Sequence, residues 1–407
     1  MMLWLSIGLV FSYLAVAYIL VRWRSVLCIG VTPVHTFTFV AILFTSGLDV
    51  GLIMFPLTEF AGYADHAASP EYAFTNPVAI EFGFWAFLNW TFYFLTCFYF
   101  CIIEPRVGFF EKPAVRVINN LVIIGTCAFT AYLLLFNLPW YMPQLGDGET
   151  ILPIFYVIVF AAIALAAHSS SQIKYVRLLS LGSTFLFGLL VLGMWGLAYF
   201  GEGSPGDFVA TLRLLLDYFP NMAGFALPIN DYHAFYLYWW FAWSIMIGQF
   251  TARFVGGLLT WQLLLAMLLV PSIAIGAWFA VLYSLHEQGR ELSGLVSLAM
   301  IGVGIVMVIN SLDSLIRLYT DNLGLTVRRF GYWPYLLGNF GVLAGLTLLF
   351  RLDFLHIEWV GAVVIALYLA CFAYILWFRR AEVAAIESAV EENTLDYTRI
   401  DRSDVTA

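Results

Sequence analysis

Polar positions are so sparse along this chain that long apolar runs, and not turn signals, set its punctuation. Runs near residues 3–22, 34–60, 80–103, 118–138, 151–168, 176–200, 233–252, 259–284, 295–316, 333–350 and 358–378 match or approach the roughly 20 apolar residues an α-helix needs to cross a hydrocarbon core. They predict about eleven transmembrane helices. Within the second run the pattern breaks at "TSGLDVG", Thr45 to Gly51, where a carboxylate, Asp49, stands between two glycines. Gly47 and Gly51 favour local unwinding and Pro56 disturbs the following turns, so this helix is expected to open near its middle.

Composition agrees with the pattern: 62% of the 407 residues are hydrophobic and 11% charged, which excludes a water-soluble domain and describes an all-α polytopic membrane protein. The first run has no basic residue before it and "RWR" after it, the reverse of a signal peptide, so it reads as a retained helix with its N-terminus outside. Continued alternation places fifteen of the 18 basic residues inside, leaving three, Arg213, Arg290 and Arg351, outside. That asymmetry predicts a multi-pass cell-membrane protein with a cytoplasmic C-terminus.

With residues 1–30 set aside as a peripheral helix, five spans (31–200) precede a long connector (201–232) and five (233–378) follow it, before an acidic tail (379–407). Five is odd, so the second set would cross in the opposite sense, as inverted repeats do. "DFVATLRLLLDYF" inside the connector has helical apolar spacing and predicts an amphipathic surface helix. Nothing basic enough for nucleic acid appears, and Cys28, Cys97, Cys101, Cys127 and Cys371 read as packing residues. The histidines are scattered and no paired catalytic acids share a depth, which argues against an enzyme; a channel would show polar linings over several helices.

Two aromatic clusters carry the candidate chemistry: "FGFWAFLNWTFYF" with Trp85, Trp90 and Tyr93, and "YLYWWFAWSIMIGQFTARFVGG" with Trp239, Trp240 and Trp243. Aromatic faces inside a bundle attract a cation that cannot form hydrogen bonds, quaternary ammonium above all. An aromatic belt at the outer interface is the competing reading of the second cluster.

The second stretch resembles the signature helix of the betaine/carnitine/choline transporter family. "GLDVGLIMFPLTE", ending at Glu59, is similar to its glycine-rich segment, "WAFLNWTFY" keeps its tryptophan and tyrosine spacing, and "INSLDS" at 309–314 resembles its T-S-x-D-S segment. The resemblance runs in order over residues 34–378. It implies a LeuT-like 5+5 inverted-repeat fold with one extra N-terminal helix, and secondary transport of an onium solute of choline or betaine type without a further cofactor. It also implies a homotrimer. The implied aromatic box is Trp85, Trp90, Tyr93 and Trp240, with Trp239 and Trp243 along the path and Gly47, Asp49 and Gly51 beside it. Coupling would use Na+ or H+: the implied sodium site has carbonyls near Thr45 and Leu48 with Asn310 and Ser311, and a second site has Thr126 and Thr130. Choline-selective relatives carry an Asp in the glycine-rich segment, though two residues later, at the position held here by Gly51, so Asp49 is expected to meet either the solute's positive charge or a coupling proton; sodium-coupled uptake of glycine betaine or dimethylsulfoniopropionate is the alternative. The family typically has two helices before the repeats, basic tails in osmotically regulated members and a threonine where Asn310 stands. Asp313 is expected to pair with Arg317, four residues on along the same helix face.

Overall fold

The computed structural model describes residues 1–48, 50–200, 204–290 and 294–387. Asp49 and the distal part of the acidic tail lie outside them. The helices follow the apolar runs: α1 (Met2–Trp23), α2 (Thr36–Ser46), α3 (Val50–Ala64), α4 (Pro77–Trp85), α5 (Trp90–Phe98), α6 (Pro113–Tyr141), α7 (Pro153–Ser170), α8 (Ile173–Tyr199), α9 (Pro205–Leu216), α10 (Asp231–Thr251), α11 (Thr260–Glu287), α12 (Leu295–Leu323), α13 (Tyr332–Arg351) and α14 (Ile357–Tyr374). Among the described residues nine helical segments are long and apolar enough to cross a membrane, or ten if the bent pair α2 and α3 is one span. The 21-residue α10 is not among them. Its tyrosines and tryptophans lower its hydropathy, although it is buried along almost its whole length. The protein is an all-α polytopic membrane protein. Its described residues add one two-stranded antiparallel ribbon, β1 (Leu27–Ile29) with β2 (Gly256–Leu259).

Helix packing has a regular plan. α2 packs on α8 and α10 on α14; α6 packs on α13 and α12 on α7; α6 meets α14 and α12 meets α8. Exchanging the first five spans for the last five converts each of these six contacts into its counterpart. α6 against α12 and α5 against α11 are their own counterparts. α1 lies outside this plan, burying Leu5, Leu9, Ser12, Val16 and Ile19 along one stripe against α5 and α14. The predicted amphipathic helix is α9, which packs over α4 and α11.

Two spans are broken. α2 and α3 meet at 54° where the glycine-rich segment predicts a break. The second break, between Trp85 and Trp90, lies inside a predicted continuous run. Ala86 is extended and Phe87 takes a left-handed φ of 48°, a conformation uncommon for a bulky side chain. The helix stops there without glycine or proline because its freed carbonyls find donors elsewhere. Asn89 Nδ2 donates to Gly83 O at 3.1 Å and Phe84 O at 2.7 Å. Trp90 Nε1 donates to Trp85 O at 3.0 Å and Trp240 Nε1 to Phe84 O at 2.8 Å. The freed Phe87 amide donates to Ser272 Oγ on α11 at 2.9 Å.

Candidate functional site: an aromatic cavity between two broken helices

The first break is stabilised in the same way, by side chains from three other helices. Asn310 Nδ2 donates to Thr45 O at 3.0 Å and Ser311 Oγ to Ser46 O at 3.3 Å, both from α12. Tyr93 Oη donates to Gly47 O at 3.3 Å from α5. Trp278 Nε1 on α11 donates to Leu52 O at 2.9 Å. Backbone that a helix would satisfy internally is thus open to ligands and held by side chains, the arrangement irregular backbone requires at membrane depth.

A cavity lies between the two breaks. Its wall is Gly47, Leu48, Trp85, Tyr93, Trp239, Trp240 and Trp243, and the space open to the centre of a water-sized sphere is about 10 Å³, room for roughly one water. Trp240 packs on Tyr93 at 5.2 Å and on Trp85 at 6.2 Å between ring centroids. Trp239 stands edge-on to Trp85 at 5.4 Å and to Trp243 at 6.0 Å. Trp90 is fully buried behind this wall, 5.2 Å from Tyr93 and 6.1 Å from Trp240. Gly47 is needed small: a Cβ there would lie 3.0 Å from Tyr93 Cε2 and 3.6 Å from Trp90.

The indole N–H groups divide into two sets. Those of Trp90 and Trp240 cap backbone carbonyls. Those of Trp85, Trp239 and Trp243 are buried without a hydrogen-bond partner among the described residues. A buried unpaired donor costs about 1–3 kcal/mol, so the cavity presents aromatic faces together with unsatisfied donors.

Both ends of α10 are fastened. At one, Tyr236 Oη donates to Glu59 Oε1 at 2.8 Å, Tyr63 Oη to Glu59 Oε2 at 2.7 Å, and Tyr232 Oη to Glu59 Oε1. At the other, Arg253 Nη1 pairs with Asp321 Oδ2 at 3.2 Å and Arg253 Nη2 donates to Asn322 Oδ1 at 3.1 Å. Arg317 Nε joins Asp321 at 3.1 Å.

Against known proteins, no family model matches the chain. The chain is 24% identical over 275 residues to Glycine betaine transporter OpuD of Bacillus subtilis (strain 168), covering 59% of this chain and 53% of that protein. It is 26% identical over 144 residues to Glycine betaine transporter 1 of Vibrio parahaemolyticus, covering 33% of this chain and 26% of that protein. The chain therefore matches about half the length of the first relative and about a quarter of the second. These homologues support the betaine/carnitine/choline transporter family.

The family's implied box residues converge, since Trp85, Trp90, Tyr93 and Trp240 are mutual neighbours and Trp239 and Trp243 complete the wall. Of the implied sodium ligands, Asn310 reaches the Thr45 carbonyl and Ser311 reaches Ser46, while Leu48 lines the cavity. Asn310 presents its amide N–H to Thr45 and its Oδ1 to Ser180, 3.0 Å away; a cation there needs the amide turned. Gly51 is buried in the first turn of α3. Thr126 and Thr130 lie on α6 with hydroxyls donating into their own helix, to Val122 O at 2.8 Å and Thr126 O at 3.2 Å.

Asp313 does not pair with Arg317 as its spacing suggested. It is fully buried and accepts from Ser169 and from Ser314 Oγ at 3.2 Å. Arg317 is drawn one turn onward to Asp321, where Arg253 also binds. An (i, i+4) spacing allowed either acid, and the half-exposed one costs less desolvation to pair. Sequence reasoning also missed Asn89, Trp278, Ser46 and Glu81. None belongs to a periodic pattern; Asn89 folds back on its own segment, while Trp278 and Ser46 act across a gap between helices.

Proposed function

We propose that this chain is a secondary-active transporter for a quaternary ammonium solute, with glycine betaine as the leading substrate. The observation that carries the reading is the pairing of aromatic faces with the unbonded N–H groups of Trp239 and Trp243 on one small cavity wall. Ring faces attract a trimethylammonium group, and indole donors suit a carboxylate. A zwitterion satisfies both. The names of the relatives agree with that choice. Choline remains the second reading, and its support is the sequence position of Asp49.

In this reading the spans 31–200 and 233–378 are inverted repeats that rock around the broken helices, and the exchange of packing partners between halves supports it. The N-terminus is outside and the C-terminus inside. Na+ is a candidate coupling ion at the Thr45 and Ser46 carbonyls with Asn310 and Ser311.

The test is uptake of labelled glycine betaine, choline, carnitine and dimethylsulfoniopropionate into proteoliposomes under imposed Na+ or H+ gradients. Saturable glycine betaine uptake that is lost in Trp240→Ala is expected. No accumulation of any of the four, or wild-type uptake by Trp240→Ala, overturns the proposal.

A further inference from the structure

One turn before Trp85 on α4 stands Glu81, fully buried. Neither of its carboxyl oxygens has a hydrogen-bond partner among the described residues. It faces Glu59 of α3, with Tyr63 and Trp85 also within interaction range. Glu59 is served very differently, because Tyr63, Tyr232 and Tyr236 all donate to it.

Glu81 is fully enclosed while Glu59 is only part-buried, so desolvation and a neighbouring carboxyl group both weigh against a charge on Glu81. The two acids are served unequally: three phenols donate to Glu59, whereas among the described residues no donor reaches either Glu81 oxygen in hydrogen-bond geometry, Tyr63 and Trp85 standing near it. We infer that Glu59 and Glu81 form a proton-binding pair at the Tyr236 end of the aromatic cavity, with the proton resident on Glu81 when that end is closed.

The surroundings support a single shared proton. Around the pair, α3 contributes Tyr63, the turn at 70–72 contributes Tyr72, and α10 contributes Tyr232 and Tyr236. His233 of α10 is stacked on Phe84, with ring centroids 4.4 Å apart. α11 directs Tyr283 and His286 at Phe60. α9 is followed by Asp217, which accepts from Asn76 at the start of α4, and Tyr218 packs on Phe82.

The pair is mechanically tied to the cavity. Tyr236 packs on Trp85 at 5.5 Å and on Trp239 at 5.7 Å, so closing α10 over the cavity assembles the donors of Glu59 and seals Glu81 from water. Sealing requires that Glu81 take one proton from water at the open mouth, and reopening returns it. On the transport reading above, on which this step rests, solute binding that closes the cavity becomes linked to uptake of one proton.

The experiment uses the purified full chain in detergent. Infrared difference spectra between neutral pH, where exposed acids are already ionised, and alkaline pH report the carbonyl stretch of a carboxyl still protonated in the folded chain, and tryptophan fluorescence reports glycine betaine binding at each pH. The wild type is expected to show a protonated-carboxyl band that Glu81→Gln lacks. Its apparent Kd should weaken by up to about tenfold per pH unit at alkaline pH, the limit for one linked proton, and Glu81→Gln should flatten that slope. Glu71→Gln, at an exposed acid bonded to Asn230, should change neither readout. Tyr232→Phe and Tyr236→Phe, which remove donors from Glu59, should shift the band. A band retained in Glu81→Gln, or one unmoved in both phenylalanine variants, overturns the pair. Absence of glycine betaine and choline binding in the wild type counts against the transport reading alone, because the infrared result stands without a solute.

Discussion

Gly248, in the last turn of the tryptophan-rich helix, sets how closely α10 approaches α5. A Cβ at this position would lie 1.9 Å from Thr96 Oγ1, 2.4 Å from Thr96 Cβ and 2.7 Å from the backbone nitrogen of Cys97. Thr96 itself anchors the contact, donating to Ser244 O at 2.7 Å. Moving the Thr96 Cβ, the nearest atom that no rotamer displaces, to an ordinary contact of 3.4 Å requires the helices to part by about 1 Å. Overpacking of this kind costs about 1–3 kcal/mol. The strain falls on the box, because Trp240 rides on α10 while Trp90 and Tyr93 ride on α5. Gly248→Ala is therefore expected to weaken glycine betaine binding about 5- to 150-fold and to lower the unfolding temperature in detergent. Thr96→Ala added to it should recover only part of the loss, since the Cβ at position 96 and the Cys97 nitrogen remain in place. Binding is read by tryptophan fluorescence and stability by thermal scans of the same samples. Wild-type affinity in Gly248→Ala, or full recovery in the double variant, refutes the argument that backbone approach sets the box.

Three further outcomes follow from other parts of the molecule. Trp239→Phe with Trp243→Phe keeps ring faces and removes both unpaired donors, so glycine betaine affinity should fall about 10- to 100-fold, as for loss of a hydrogen bond to a charged group, while choline affinity in competition binding changes far less. Asn89→Ala strips the cap from the α4 carbonyls and should cost about 1–3 kcal/mol of stability; Asn89→Asp, which offers acceptors to acceptors, should be worse in the same thermal scans. In the turn after α6, Asp147 accepts from the amides of Glu149 and Thr150 and from the Thr150 hydroxyl, which hold its carboxyl down to about 2. Because the folded value lies below the ordinary one, the turn's stabilisation is present above the usual carboxylate range and is lost as pH falls towards about 2. Amide protection at Glu149 and Thr150, taken relative to the free-peptide exchange rate at each pH, should hold from pH 7 to about pH 4 and fall below that, and Asp147→Asn should remove that change in protection.

Membrane helices were legible because twenty-odd apolar residues have few other uses, and the glycine-rich break announced itself through Gly47 and Gly51. The tryptophans of the box were legible through their spacing. The break at Trp85–Trp90 was not, because "WAFLNW" contains no residue that forbids a helix. It is made by Asn89 and Trp90 folding back on the preceding carbonyls together with Trp240 and Ser272 from other helices, so part of its cause is tertiary. Arg317 illustrates the same limit at smaller scale: spacing offered it Asp313, while Asp321 had the lower desolvation cost and a second arginine to share. Glu81 read as one polar residue in an apolar run, and its meaning depends on Glu59, 22 residues away and on another helix.

A cavity with room for one water cannot admit a trimethylammonium group, so one fastened end of α10 must release before solute enters. The two fastenings stand at opposite ends of the helix: Tyr236 and Arg253 are 17 residues apart, about 25 Å along a helix axis, with Trp239, Trp240 and Trp243 between them. They also differ in kind. Glu59 holds three neutral phenols, whereas Asp321 holds two arginines, at roughly 30% side-chain exposure for each paired group. Asp321→Asn should therefore open the Arg253 end, and Tyr232→Phe with Tyr236→Phe the other. In vesicles, a cysteine placed at Leu48 in a background lacking Cys28, Cys97, Cys101, Cys127 and Cys371 reports which mouth is open to an impermeant thiol reagent. Labelling should rise from one face in the first variant and from the opposite face in the second. If both variants raise labelling from the same face, the two fastenings do not guard opposite mouths of one cavity, and α10 is not the element that alternates between them.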